Sequence, residues 1–399
     1  MLVARTPEGP LVGRRVAVTG MGAVSCAGLG VPALWSALLE PVAPASKAVA
    51  PFDASHIGGP KELRRLDPFT LYALVAADEA WRQSGLASPF LEGASIVTTG
   101  IGGLQTILEQ VAVRNARGLG RVSPFMVPMM MPNAAAAAVS MRFGLGGPCE
   151  TVTTACAAGT HAIGNGARLV ATGRAPVVVA GGAEAVLVEI AEAGFRNMTA
   201  LSSQDLSRPF DVDRDGFVMG EGAGILILED WDHAHARGAR ILAEVIGAAS
   251  TADAYHITAP DPEGRGAIRS MRLALEDAEL TPAQISHINA HGTSTPLNDL
   301  AEAVAVGEVF GSHAPPVTSV KGHLGHSLAA AGALEAVAAV LTLLEQTIPP
   351  TAGTTTVDPA IPLDVVHGAP RPGSYETVLS NSFGFGGHNG SVILRRVAS

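Results

Sequence analysis

Residues 152–164 read VTTACAAGTHAIG, and the order of residue types in this stretch decides the fold class. The β-branched run Val152, Thr153, Thr154 favours extended backbone, and the small residues from Ala157 onward open an Ala-rich helical pattern. Cys156 therefore falls at a strand-to-helix junction, where unpaired N–H groups and the positive end of the helix dipole favour an anion. The stretch alone leaves two readings of Cys156, a nucleophilic thiol or a buried structural cysteine.

The same succession of strand and helix extends outward in both directions. RRVAVTG (14–20), ASIVTTG (94–100), APVVVAGG (175–182) and EGAGILILED (221–230) are short β-rich runs separated by helical segments, and ILAEVIGAAS (241–250), SHINAHG (286–292), PVTSVKG (316–322) and SVILRR (391–396) continue the series. Such alternation predicts an α/β fold with parallel-rich sheets between helices. Each half opens on a hydrophobic strand, near Val16 and near Ile241, which suggests an internal duplication. The polar helical stretch WDHAHARGAR (231–240) is the natural join, giving an N-terminal half over 1–235 and a C-terminal half over 236–399.

Composition agrees with tightly packed layers. Of 399 residues, 47% are hydrophobic and only 4% aromatic, so Ala, Val, Leu and Ile must fill the interior, with further burial in an oligomer expected. A net charge of −10 with scattered basic residues argues against a nucleic-acid partner. The N-terminal stretch MLVARTPEGPLVGRR lacks an apolar signal segment, and the apolar run 327–346 is broken by Glu335, reading as a buried helix rather than a membrane span. A soluble cytoplasmic protein without membrane contact is expected. Cys26, Cys149 and Cys156 form no CxxC pair, which argues for reduced thiols and against a disulfide framework or a metal site.

Glycines at 20–22 (GMG) and 100–105 (GIGGLQ) lack the spacing of a nucleotide-binding loop and are assigned to tight strand-to-helix turns. Three further stretches carry chemistry. In NAHGTSTPLNDLAEA (289–303), His291 ends a strand, Thr293 and Thr295 offer two hydroxyls to one side, and Asp299 and Glu302 share a helix face. In SVKGHLGHSLAAAGALEA (319–336), Lys321 leaves a strand and His326 precedes an Ala-rich helix, with His323 between them. In SNSFGFGGHNGS (380–391), a glycine-rich loop between two strands carries Phe383 and Phe385 and can aim an N–H at an oxyanion. A cysteine, two histidines and a lysine all at such junctions point to one site.

These four stretches, in this order and together with RPFDVDRDGFVMGEGAG (208–224), resemble the β-ketoacyl-acyl-carrier-protein synthases of the thiolase-like superfamily over nearly the whole chain. The resemblance implies a five-layered α-β-α-β-α fold built from two duplicated halves, and a dimer, either of two copies or with a ketosynthase-like chain-length factor. It implies Cys156 as nucleophile, His291 and His326 as the catalytic histidines, Lys321 with Glu302 as its partner, and backbone N–H groups of Cys156 and Phe385 as the oxyanion hole. Thr293 and Thr295 would contact the pantetheine arm, Ile101, Phe195 and Phe385 the acyl chain, and Lys61, Arg64 and Arg65 in PKELRRLD (60–67) the acidic carrier protein. Met126 to Met131 would be core packing or apolar wall. No cofactor is implied beyond the phosphopantetheine that arrives on the acyl carrier protein, and no metal. Asn298 and His388 stand where fatty-acid members usually have Gly and Thr, and Asn298-Asp299 is similar to ketosynthase subunits of type II polyketide systems. A thiolase acting on coenzyme A resembles a two-cysteine site, and no cysteine follows Cys156.

Overall fold

The computed structural model describes residues 13–398. Most of the N-terminal stretch read for a targeting signal, residues 1–12, lies outside the described residues. Ten strands pair in a single path. From one edge they run Cys149–Glu150, Ala94–Thr98, Val177–Glu184, Gly222–Asp230 and Val16–Ser25, then Ala243–Ala252, His388–Arg395, Thr377–Gly384, His287–Asn289 and Val317–Thr318. Numbered by chain order within its own half, each set of five has the spatial order 3-2-4-5-1, mirrored about the pairing of Val16–Val18 with Ala243–Val245. Strand directions repeat as well: the 2–3 and 2–4 pairs are parallel, and the 4–5 and 5–1 pairs antiparallel, in both sets. The duplication expected from the two strand openings is therefore present in topology.

The period of two along each strand builds the layers. Val177 and Val179 face outward to join Phe69, Trp81, Val139 and Phe143 of helices Pro68–Ser84 and Ala134–Phe143. Val178 and Ala180 face inward to join Ile163, Val170, Leu334 and Val340 of helices Ala158–Ala171 and Ala331–Glu345. The second half does the same, with Val378 and Val392 packed on that central helix pair. Its outward residues Leu379 and Ile393 meet Met271 and Val306 of helices Arg265–Asp277 and Pro296–Phe310. Three cores between five layers result: outer helices, sheet, central helices, sheet, outer helices. The apolar segment Leu328–Glu345 is long enough to cross a bilayer, and it is 89% buried as part of the central layer.

Two local expectations are corrected. The GMG glycines do not make a turn; they lie inside strand Val16–Ser25, where a Cβ on Gly20 or Gly22 would stand about 2 Å from the carbonyl oxygens of Ala80 or Ala76. Glycine is needed there so that helix Pro68–Ser84 can lie against the strand backbone. Residues 152–154 make no ladder, which ends at Glu150, and Thr154 has left the extended region with ψ 44°. Thr151 and Thr153 instead donate their hydroxyls to the carbonyls of Val97 and Thr99, so side chains replace main-chain pairing on the approach to Cys156.

Candidate active site

Cys156 sits in a short 3-10 turn, Ala155–Ala157, that feeds helix Ala158–Ala171. Ala155 adopts φ 49°, a left-handed conformation costly for a residue with a Cβ, and this sharp elbow presents the cysteine at the head of the helix. The side chain is 6% exposed and reaches a cavity of about 510 Å³. Burial pushes the thiol up to about 11, while Lys321 and a hydrogen bond from the Phe385 main chain pull the other way. The resting group is thus a protonated thiol with a main-chain donor already aimed at it.

The strand Thr377–Gly384 runs further than expected and shortens the glycine-rich loop to Phe385, Gly386 and Gly387 before strand His388–Arg395. The hairpin lies directly on the cysteine elbow: a Cβ on Gly384 would stand 3.1 Å from the Cys156 nitrogen. That close approach brings the N–H groups of Cys156 and Phe385 to one side of the sulfur.

Both histidines come from the second half, His291 from just past a strand and His326 from the turn after the short helix Lys321–Leu324. His291 lies two residues past strand His287–Asn289, and His326 precedes the 3-10 turn Leu328–Ala330 that opens the central helix. Their rings meet edge to face with centroids 5.3 Å apart, both side chains buried. Burial first, and then the neighbouring Lys321 cation, hold both well below the usual imidazole range, so both are neutral at pH 7. Lys321 Nζ lies 3.3 Å from His291 Nδ1 and donates to the His291 carbonyl at 2.6 Å. An ammonium has no acceptor to offer, so Nδ1 accepts and the ring proton of His291 resides on Nε2.

Glu302 is not the partner of Lys321. Its carboxylate accepts the main-chain N–H groups of His291 and Gly292, each at 2.8 Å, and so shapes the turn that carries His291. Asp299 does the same for Thr293 at 2.9 Å and Phe210 at 2.8 Å. The counter-ion of Lys321 is Glu335, fully buried on the central helix. Its signal was present in the sequence as the charge in the middle of the apolar run 327–346. A second carboxylate that sequence reasoning missed is Glu184, which ends strand Val177–Glu184 and accepts from Thr99 Oγ1 at 2.7 Å and from Gly100 N at 2.8 Å.

Ile101, Phe195, Thr293, Thr295 and Phe385 line the same cavity as Cys156, His291 and His326, whereas Lys321 and Glu302 stand behind it. The Thr293 and Thr295 hydroxyls are 2.9 Å apart on one wall. Phe195 packs between Phe217 and Phe385, with centroids at 5.4 and 6.3 Å. Lys61, Arg64 and Arg65 are exposed on and just after the short helix Pro60–Leu63, with the Arg65 guanidinium 4.1 Å over the Phe125 ring. None of Met126 to Met130 is buried, and Met131 is 40% exposed, so these methionines are surface rather than core. His323 stands apart from the site and donates Nε2–H to the Glu40 carbonyl at 2.7 Å. All three cysteines are free, and among the described residues no cluster of His, Cys, Asp or Glu could hold a metal ion.

The sequence profile of the beta-ketoacyl synthase N-terminal domain matches residues 41–234, and that of the C-terminal domain matches residues 242–355. The chain belongs to the β-ketoacyl synthase family. Among its relatives, the 3-oxoacyl-[acyl-carrier-protein] synthase 2 of Synechocystis sp. is 42% identical over 96% of this chain and 98% of its own. The protein of the same name in Staphylococcus aureus is 40% identical with the same coverage. Among solved structures, the ishigamide ketosynthase/chain length factor superposes with a TM-score of 0.91 at 34% identity, over 97% of this chain and all of that one. The type II polyketide ketosynthase solved in complex with its acyl-carrier protein superposes at 0.89 with 30% identity, over 97% of this chain and all of that one. This β-ketoacyl synthase therefore shares the fold of those ketosynthase structures over nearly its whole length, with Cys156 at the elbow and His291 and His326 facing the same cavity.

Proposed function

We propose that this β-ketoacyl synthase is an acyltransferase that acts as a 3-oxoacyl-acyl-carrier-protein synthase, elongating a carrier-bound acyl chain by decarboxylative condensation. The observation that carries the reading is the convergence of Cys156, the two neutral histidines and the Phe385 main-chain donor on one apolar cavity. Cys156 attacks the thioester carbonyl of an acyl carrier protein; the acyl group moves to sulfur and the carrier leaves as a thiol, taking the proton that the cysteine gives up. N–H groups of Cys156 and Phe385 stabilise the oxyanion of each tetrahedral state. The phosphopantetheine arms arrive on the carrier proteins and pass the Thr293 and Thr295 hydroxyls, so the reading calls for no resident cofactor.

Malonyl on a second carrier protein then loses CO2, and the electron pair of the broken bond passes to an enolate. His291, with its proton on Nε2, and His326 donate to the enolate oxygen; a neutral imidazole suits this because it gives a hydrogen bond without carrying charge. The enolate carbon attacks the acyl carbonyl, and the Cys156 sulfur leaves, giving the 3-ketoacyl carrier protein. Lys321, held by Glu335, positions His291 and lowers its basicity; Glu302 fixes the turn. Ile101, Phe195 and Phe385 bound the acyl chain, and Lys61, Arg64 and Arg65 receive the carrier protein.

A second reading makes the chain the ketosynthase subunit of a type II polyketide synthase paired with a chain-length factor. The Asn298-Asp299 pair and the superposition of a ketosynthase/chain length factor and of a type II polyketide ketosynthase on this chain favour that pathway. In either reading the protein is a dimer, of two copies or with a homologue, and the free cysteines and buried apolar helix support a soluble cytoplasmic enzyme. Condensation of acyl- and malonyl-carrier protein by the purified chain, with Cys156→Ala as control, tests the function. Loss of 3-ketoacyl product in the folded variant is expected; retained product contradicts it.

A further inference from the structure

His161 is used by none of the steps above, yet it joins the two segments that form the oxyanion hole. It lies on helix Ala158–Ala171, five residues after the nucleophile, and is 7% exposed. Its Nδ1 is 2.7 Å from Thr154 Oγ1, and its Nε2 is 3.1 Å from the main-chain oxygen of Asn389. A carbonyl oxygen only accepts, so Nε2 carries the proton, and Nδ1 accepts from the Thr154 hydroxyl. Burial lowers the affinity of the ring for a second proton, which keeps that donor-acceptor pattern in place.

Both ends of this bridge are strategic. Thr154 immediately precedes Ala155, the residue held in the left-handed region to present Cys156. Asn389 follows Phe385 by four residues, and its side chain ties the hairpin to Asp253 at 2.7 Å and to the Gly387 carbonyl at 3.2 Å. The ring is packed tightly between the two, since a Cβ on Gly390 would stand 3.0 Å from it. His291 and His326 hang from other segments, to which His161 makes no hydrogen bond.

We propose that His161 is a positioning residue for acyl transfer, locking the Cys156 elbow to the Phe385 hairpin so that their two N–H groups keep a fixed spacing. The proposal rests on the reading of Cys156 as acyl acceptor. Removal of the bridge slows formation of acyl-Cys156, which needs both N–H groups, and leaves malonyl decarboxylation, which depends on His291 and His326, nearly untouched.

The test measures both half-reactions in the folded full chain: acylation of Cys156 from acyl-carrier protein by intact mass, and CO2 release from malonyl-carrier protein. His161→Phe keeps the ring volume without hydrogen bonds; an acylation rate at least tenfold lower with decarboxylation within twofold is expected, and His161→Gln, which has one donor and one acceptor, recovers most of the rate. Thr154→Val removes the bond from the other side and is expected to give the same split, which keeps the proposal testable if His161→Phe does not fold. Acylation within twofold of wild type in either folded variant, or an equal fall in both half-reactions, overturns it. Wild-type protein that takes no acyl chain overturns the reading of Cys156 instead.

Discussion

Replacing Lys321 with methionine removes the cation around which the site is built. Lys321 is 1% exposed and Glu335 fully buried; Nζ donates to the Glu335 carboxylate and to the His291 carbonyl. Taking away one member of a buried ion pair strands the other, at about 3–5 kcal/mol. Burial has already raised the Glu335 pKa, so the carboxyl takes up a proton in the variant and the loss falls at the lower end of that range. Lys321→Met/Glu335→Leu strands no charge and is expected to be less costly than the two single changes summed, with a coupling of about 1–3 kcal/mol. Denaturant unfolding of the four proteins measures it. The second readout is kinetic: His291 is kept low by burial, then by Lys321 and His326. Without the cation its pKa rises toward 6.5, protonation begins at higher pH, and the acid limb of malonyl decarboxylation moves to higher pH. Additive unfolding costs together with an unmoved acid limb would refute the account of Lys321 as the organising charge.

Three more outcomes are expected. With the Cys156 thiol pushed up to about 11, alkylation of that residue should accelerate roughly tenfold per pH unit from pH 7 to 10; a plateau below pH 9 would contradict it. His287 is buried, has no hydrogen-bond partner on either ring nitrogen among the described residues, and its pKa is lowered by burial to about 3. The unfolded chain therefore binds more protons between pH 3 and 6.5, and the native state loses about 2 kcal/mol by pH 5 from this residue alone. His287→Phe should remove that loss in unfolding experiments at pH 5 and 7. Glu302→Leu strands two buried N–H groups at about 1–3 kcal/mol each and should lower both stability and condensation, with Glu302→Gln milder, as unfolding midpoints and turnover rates will show.

What the chain declares in advance follows from local physics. Strands such as Val177–Glu184 and Gly222–Asp230 are short apolar runs bounded by turn residues, and His291 stands just past one such run, His287–Asn289. Less legible is anything that depends on which helix lies across a strand. Gly20 and Gly22 read as a turn until the carbonyls of Ala76 and Ala80 approach them. The family resemblance points to Glu302 as the partner of Lys321; only the packing of the central helix brings Glu335 to Nζ, while Glu302 turns toward main-chain N–H groups. His161 gave no signal, because its two partners lie 7 and 228 residues away.

The central claim is that Cys156 carries the growing chain. Incubating the purified protein with acyl-carrier proteins of differing length and saturation, then reading its intact mass, tests this most directly. An added acyl mass that maps to Cys156, is absent in Cys156→Ala, and disappears as 3-ketoacyl product when malonyl-carrier protein is added is the predicted result. A folded protein acylated at another residue, or forming product with Cys156 unmodified throughout, would contradict it.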